Sequence, residues 1–148
     1  MFFHLSKIIF LSISFTLTYC CSATSSKNVY STGVKGIVTC NGTPAKNVKV
    51  QIYDKNAIGK DTEISYGFSD EKGRFGIRGN EKVVIGNFNP YYAITHNCNN
   101  DNQICKRKFT NEINKKYIEK NTRSYDVYDA GVIELAPKRS NELRDCSV

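Results

Sequence analysis

Hydrophobic and polar residues alternate with a period of two through several short segments of this 148-residue chain. The alternation is clearest where Val48, Val50 and Ile52 would lie on one face of a strand. Lys49 and Gln51 would lie on the other face. Because successive side chains of an extended strand point to opposite faces, the pattern predicts strands that bury one face and solvate the other.

Similar segments recur along the chain, and no segment of useful length has helical periodicity. Further strands are predicted at 34–40, 63–69, 74–78, 91–98, 104–113, 124–127 and 130–135. The clusters 41–44, 70–73 and 99–102 separate them and are rich in Asn, Asp, Gly or Pro. In the second cluster, Asp70 is expected to cap the turn and Gly73 to take a positive φ. We therefore predict an all-β fold, an antiparallel sandwich of about seven to eight short strands.

The N-terminus departs from this pattern. Lys7 precedes an apolar run at 8–17, and small residues follow, which is typical of a secretory signal. The run is too short and too rich in Ser and Thr to span a bilayer about 30 Å thick. A buried N-terminal element is the alternative. Cleavage after Ala23 leaves four cysteines that can all pair, whereas cleavage after Cys20 leaves five, so we favour the later position.

These features divide the chain into four segments and predict a secreted, extracellular protein. The segments are a signal peptide at 1–23, a flexible arm at 24–32, a sandwich at 33–136 and a C-terminal tail at 137–148. The tail is polar and is expected to be loose except where Cys146 holds it.

Four cysteines remain after the favoured cleavage. Cys98 and Cys105 flank an Asn- and Asp-rich turn between two predicted strands, and a hairpin brings such ends together. We therefore expect a disulfide between Cys98 and Cys105, which leaves Cys40 to pair with Cys146. Four cysteines allow three connectivities, and the sequence does not exclude the other two.

The chain carries 21 Lys and Arg against 14 Asp and Glu, a net charge of +7, and loss of Lys7 with the signal lowers it by one. A basic secreted protein tends to associate with anionic surfaces such as phospholipid or sulfated glycan. The candidate contacts are Lys106, Arg107, Lys108, Lys115 and Lys116. On a strand, however, Arg107 would face opposite to the lysines beside it. A solvated face is the alternative, and scattered charge argues against nucleic-acid binding.

No catalytic constellation is recognisable, so we expect no enzyme activity. His96 is the only histidine after residue 23, and no Ser or Cys nucleophile is accompanied by a plausible base. Zinc normally needs three or four ligands, and the cysteines near His96 are better used in bridges, so no metal or cofactor is expected. Asn41 opens an Asn-Gly-Thr sequon in a predicted turn and is a candidate for glycosylation.

Several motifs carry a resemblance to known families. Two of them are similar to prealbumin-like sandwiches in general. The first is Val34-x-Gly36-x-Val38, followed by Gly42-x-Pro44 and Val48-x-Val50. The second is Ser69-Asp70-x-x-Gly73-x-Phe75. A longer set, covering roughly 33–136, resembles the nematode transthyretin-like family. It comprises 36–48, Asn89-Pro90, Ile94-Thr-His96-Asn-Cys98, Cys105-Lys-Arg-Lys, 113–118 and 129–135. The chain departs from the family at two positions: Asn114 stands where members usually have Pro, and Asn97 where they usually have Asp.

The resemblance implies a transthyretin-like sandwich with Ig-like Greek-key connections in an extracellular protein, and says little about chemistry. We expect a non-catalytic binding or adaptor protein that recognises an extracellular protein or an anionic cell-surface partner. Two alternatives stay open: a carrier of small hydrophobic ligands, as in transthyretin, and a secreted parasite factor directed at a host. Related hydroxyisourate hydrolases share the sandwich, but their Tyr-Arg-Gly-Ser motif is absent from this sequence. The oligomeric state is left open.

Overall fold

The computed structural model describes residues 28–101 and 104–147. The predicted signal at 1–23 and the first part of the predicted arm lie outside the described residues. Within those two ranges, no helix is long and apolar enough to cross a bilayer.

Nine strands and one 3₁₀ turn make up the secondary structure of the described residues. The strands are β1 (Val29–Cys40), β2 (Thr43–Pro44), β3 (Lys49–Asp54), β4 (Thr62–Phe68), β5 (Arg74–Lys82), β6 (Pro90–His96), β7 (Lys106–Glu112), β8 (Tyr128–Glu134) and β9 (Leu143–Asp145). The 3₁₀ turn is Lys115–Tyr117. The all-β prediction is confirmed. The strand predicted at 124–127 is absent, because these residues belong to the connection before β8, while β2 and β9 are additional strands that are too short to show a pattern.

The strands form two sheets that pack as a sandwich. The first sheet contains β2, β1, β5 and β8, and the second has the order β4-β3-β6-β7-β9. Every strand pairing among the described residues is antiparallel except that of β1 with β8, in which Val34 lies beside Tyr128. The predicted antiparallel sandwich is therefore confirmed, with β1 and β8 as the one parallel pair among the described strands.

The alternation read from the sequence sets the buried face of each strand. Val48, Val50 and Ile52 lie in the core, as predicted, together with Ile94 of β6 and Phe109 of β7. The core is completed by residues of the first sheet, notably Val34, Val38, Phe75, Ile77 and Ile133. The apolar faces of the two sheets therefore bury one another, which is the main favourable contribution to folding.

The turn between β4 and β5 has the predicted structure. The Asp70 carboxylate accepts hydrogen bonds from the backbone N–H groups of Lys72 at 2.9 Å and Arg74 at 2.8 Å. Gly73 has φ +72°, and a Cβ there would lie 2.3 Å from the carbonyl oxygen of Val38. Only glycine fits this position, because both the backbone conformation and the space exclude a side chain.

The strand directions define two ends of the sandwich. The disulfide end carries the connections 41–48, 69–73 and 97–105 and both disulfides. The open end carries the connections 55–61, 83–89 and 113–127.

Two of the predicted segment boundaries are wrong. β1 begins at Val29, so 29–32 is paired strand rather than flexible arm, because it continues the ladder with β5. In the predicted tail, Leu143–Asp145 forms β9 and pairs with β7. Leu143–Asp145 of the predicted tail is thus part of the second sheet, next to the Cys146 that was expected to hold the tail.

Candidate functional site

The two disulfides join Cys40 to Cys98 and Cys105 to Cys146. The predicted pairing of Cys98 with Cys105, and of Cys40 with Cys146, is therefore wrong. The first bridge links the end of β1 in one sheet to the segment that follows β6 in the other. The second bridge lies within one sheet and ties β9 to β7.

Local geometry explains this pairing. The β6–β7 ladder ends at His96 and Arg107, and the chain then turns, with Asn99 at φ +47°. Cys98 is buried and belongs to the core cluster against which Cys40 packs. On the other edge of β7, Lys106 is opposite Asp145, so the next position along each strand brings Cys105 opposite Cys146.

Arg107 is buried, with 1% of its surface exposed. Its Nε and Nη2 each donate to a carboxylate oxygen of Glu142 at 2.7 Å, which makes a bidentate ion pair. Nη1 donates to the carbonyl oxygens of Cys98 at 2.7 Å and Ala136 at 3.2 Å, and Nη2 also donates to that of Pro137 at 3.0 Å. The prediction that Arg107 contacts an anionic surface is wrong, because its donors are used to hold the tail against the second sheet.

His96 lies opposite Arg107 on the core face of the second sheet and is also buried. Its Nδ1 accepts a hydrogen bond from the Cys98 N–H at 3.2 Å, and its ring meets that of Phe109 edge to face. Burial, and then the positive charge of Arg107, lower the pKa of His96 to about 4. The imidazole is therefore neutral at pH 7 and serves as a core residue.

The four lysines predicted as anionic-surface contacts lie in two separate places. Lys106 and Lys108 are on the outer face of the second sheet, where Lys108 Nζ is 3.5 Å from a carboxylate oxygen of Asp145. Lys115 and Lys116 begin the 3₁₀ turn at the open end and are exposed. The structure thus does not bring the predicted set together into one patch.

Asn41 is exposed in the turn after β1, where the sequon predicted it. Its side-chain amide exchanges hydrogen bonds of 3.0 and 3.1 Å with the amide of Asn99. The Glu134 carboxylate accepts hydrogen bonds from the N–H groups of Asn41 and Gly42, both at 2.9 Å. Backbone N–H donors, chiefly those of Ala136 and Gly42, lower the pKa of Glu134 to about 2. Glu134 thus fixes the turn that carries the sequon, a role the sequence did not reveal.

Each connection of the open end presents a large, exposed apolar or aromatic side chain. Ile58 is 91% exposed in the first connection, and Ile85 is 93% exposed in the second, next to the exposed Val84. Tyr125 is exposed in the third connection. Sequence reasoning missed these exposed residues because loops carry no periodicity, although the isolated apolar residues between turn signals were visible.

Specific contacts hold the three connections side by side. The Lys55 N–H donates to the Asn89 carbonyl oxygen at 3.1 Å, which joins the first connection to the second. Tyr30 stacks on Phe88 of the second connection, and the Lys120 Nζ of the third lies 6.0 Å from the centre of the Tyr30 ring.

An open cleft of about 1110 Å³ lies beside these connections. Tyr91 is on its wall and donates from its hydroxyl to the Asp61 carboxylate at 2.8 Å. Burial and the nearby Asp61 raise the pKa of Tyr91, so the phenol stays protonated. In the described ranges, no group of three or more His, Cys, Asp or Glu side chains is placed to hold a metal ion.

Comparisons with known proteins place the chain among related sequences. The family model described as the transthyretin-like family matches residues 35–114. Transthyretin-like protein 5 of Caenorhabditis elegans is 41% identical over 80% of this chain and 86% of its own length. Transthyretin-like protein 2 of the same organism is 34% identical over 78% of this chain and 82% of its own.

Similarity to solved structures is weaker. A 9R-lipoxygenase from Cyanothece aligns with a TM-score of 0.43 and 20% identity, over 75% of this chain and 18% of the lipoxygenase. This likeness is too remote to bear on the fold or the function.

Proposed function

The chain belongs to the transthyretin-like family, and from that premise we propose that it is a secreted, non-catalytic binding protein that engages an anionic extracellular surface through its open end. The proposal has three parts: the location, the binding surface and the class of partner. Each rests on a different observation.

The predicted signal peptide at 1–23 and the two disulfides support an extracellular location. Disulfides form and persist in oxidising compartments and are rare in the cytosol. Glycosylation of Asn41 stays a prediction consistent with that location, and a mobility shift after enzymatic deglycosylation would test it.

The observation that carries the proposal is the exposure of Ile58, Ile85 and Tyr125, one on each of three neighbouring connections. A folded protein gains nothing from leaving such side chains in water, and exposed apolar clusters mark interaction sites. Burial of Ile58 and Ile85 against a partner would recover roughly 1.5–3 kcal/mol per side chain.

Charge indicates the class of partner. Five exposed lysines lie in the first and third connections, and none of them has an ion-pair partner among the described residues: Lys55, Lys60, Lys115, Lys116 and Lys120. Of the three acidic residues in these connections, Asp61 accepts from Tyr91 and Glu119 accepts from the Tyr125 N–H at 2.7 Å, while Asp126 is exposed, so the lysines outnumber the carboxylates. An anionic surface therefore complements this end of the molecule.

The test compares two variants of equal charge. The open-end variant carries Lys55→Gln, Lys60→Gln, Lys115→Gln and Lys116→Gln. The control variant carries Lys35→Gln, Lys72→Gln, Arg78→Gln and Lys138→Gln, four exposed positions outside the connections of the open end. The oxidised protein is assayed on immobilised heparin and on vesicles of phosphatidylserine in phosphatidylcholine. We expect the open-end variant to lose at least tenfold in affinity for one of these surfaces and the control variant to lose less than threefold.

An equal loss in both variants would show that net charge alone drives binding, and would overturn the assignment to the open end. The double variant Ile58→Ser/Ile85→Ser separates the two kinds of surface. A lipid partner requires these side chains, because they would enter the headgroup region, whereas a sulfated glycan does not.

A further inference from the structure

A second cleft, of about 590 Å³, lies at the disulfide end of the molecule, away from the open end. We call it the outer-face cleft. It is lined by Lys46, Lys49, Tyr66, Phe68, Thr95 and Lys106, and also by residues near the bridge between the sheets, among them Cys40, His96 and Cys98. Its volume falls within the range of sites that hold small organic ligands.

Strand register places the key residues of this cleft on the outer face of the second sheet. Thr95 of β6 is directly opposite Lys49 of β3 and Lys108 of β7. Lys49 is in turn opposite Phe68 of β4. Because directly opposed residues share a face, these side chains form one row across the sheet, while the neighbouring His96 points into the core.

The hydroxyl group of Thr95 is buried and makes no hydrogen bond within the described residues. The residue is only 6% exposed, and Oγ1 has no hydrogen-bond partner among the described residues. A buried hydroxyl without a partner costs free energy, because it gives up its hydrogen bonds to water and gains none in the folded protein. Valine would suit the strand equally well in shape, so the unpaired donor calls for a ligand.

The charge of the outer-face cleft is entirely positive. Lys46, Lys49 and Lys106 line it, and no Asp or Glu does. None of these lysines has an ion-pair partner among the described residues, whereas the nearby Lys108 is paired with Asp145. A ligand bound here therefore meets uncompensated positive charge.

Two aromatic rings supply the apolar part of the cleft. Tyr66 and Phe68 are both more than half exposed and meet edge to face with their ring centres 6.2 Å apart. The Lys49 Nζ lies 5.4 Å from the centre of the Tyr66 ring, so charge and apolar surface are adjacent.

We propose that the outer-face cleft binds a small amphiphilic organic anion. The acidic group accepts a hydrogen bond from the Thr95 hydroxyl and is attracted by Lys49, Lys46 and Lys106. The apolar body of the ligand covers Tyr66 and Phe68. The ligand class is set by this combination: a carboxylate, sulfate or phosphate group joined to an apolar chain or ring.

The test uses a fluorescent fatty acid, 11-(dansylamino)undecanoic acid, and its uncharged methyl ester as probes of the full, oxidised chain. We expect saturable one-to-one binding of the acid and at least tenfold weaker binding of the ester. Thr95→Val is expected to weaken binding of the acid about tenfold while leaving the thermal unfolding temperature unchanged or higher. Thr95→Ser keeps the hydroxyl and should retain binding.

Lys49→Met keeps the aliphatic stem of the side chain and should also weaken binding of the acid about tenfold. The matched control Lys115→Met, at the open end, should leave it within twofold, and Ile85→Ser should do the same. Equal binding of acid and ester, or wild-type affinity in Thr95→Val, would overturn the proposal. A lower unfolding temperature in Thr95→Val with unchanged affinity would show that the hydroxyl is structural, which also overturns it.

Discussion

The disulfide end and the open end of the sandwich are held together by different means. At the disulfide end, one bridge joins the two sheets, another ties β9 to β7, and the buried Arg107–Glu142 pair anchors the tail. At the open end, backbone hydrogen bonds and ring contacts hold the three connections side by side.

Under the proposed function, this difference separates the part of the molecule that stabilises the fold from the part that binds a partner. The two disulfides and the buried Arg107–Glu142 ion pair stabilise the disulfide end against unfolding. The open end carries exposed side chains whose removal leaves the core untouched, so it can change to suit a partner. Substitutions at the two ends should therefore have effects of very different size.

The largest effect is expected from removal of the bridge between the sheets. The variant Cys40→Ala/Cys98→Ala should lose about 4 kcal/mol of unfolding free energy, because the bridge closes a loop of 58 residues. The bridge between Cys105 and Cys146 closes 41 residues, so loop entropy alone predicts a similar loss. We expect Cys105→Ala/Cys146→Ala to lose less, since Cys146 is exposed and leaves no cavity. Urea denaturation without reductant measures both, and a greater loss in the second variant would contradict this ranking.

Arg107→Met should lose about 3 kcal/mol, because it leaves the Glu142 carboxylate buried without its partner. The double variant Arg107→Met/Glu142→Met should recover much of that loss, since replacing both members of a buried pair with apolar side chains is often neutral. The same denaturation experiment checks this double-mutant cycle. If the loss in the double variant equals the sum of the losses in Arg107→Met and Glu142→Met, the two side chains are not coupled.

His96 should make the protein less stable in mild acid. The histidine stays neutral in the folded state until its pKa of about 4, whereas the unfolded chain takes up the proton near 6.5. Stability from this group is therefore complete above pH 6.5 and is lost as the pH falls toward 4, by roughly 1–2 kcal/mol between pH 7 and pH 5. His96→Asn, which keeps an acceptor for the Cys98 N–H, should flatten that slope. The unfolding free energy is measured by urea denaturation at pH 7 and at pH 5. An equal difference between the two pH values in the wild type and in His96→Asn would refute the assignment.

The smallest effect on stability is expected at the open end. Ile85→Ser should change the unfolding free energy by less than about 0.5 kcal/mol, because the side chain has no buried contacts to lose. Ile94→Ser, in the core, is the matched control and should cost several kcal/mol. A substantial loss in Ile85→Ser would mean that the open end contributes to the fold after all.

The sequence predicted the sandwich because strand alternation is local, and the alternation of Val48, Val50 and Ile52 survives in the core. The same alternation also indicated that Arg107 points the opposite way to Lys106 and Lys108. Its consequence was missed: a cation on the face that buries Phe109 must find a buried anion. The anion, Glu142, lies 35 residues later, where no periodic pattern indicates structure.

The disulfides could not be assigned from the sequence because their geometry depends on β9. Three residues, Leu143–Asp145, are too short and too polar to show strand alternation, yet their pairing with β7 brings Cys146 opposite Cys105. The outer-face cleft escaped prediction for a related reason. Its residues come from separate strands, and only the register places Thr95 beside Lys49.

The parallel pairing of β1 with β8 bears on how the molecule is made. Val38 of β1 pairs with Ile133 of β8. The first strand of the chain therefore has both edges paired only after β8, one of the last strands, has formed. Pairings this distant in sequence slow folding, since a long loop must close before the contact forms. During synthesis, nearly all of the chain must leave the ribosome before the first sheet can be completed. Until then one edge of β1 is unpaired, and its free backbone N–H and C=O groups can pair with a strand of another chain.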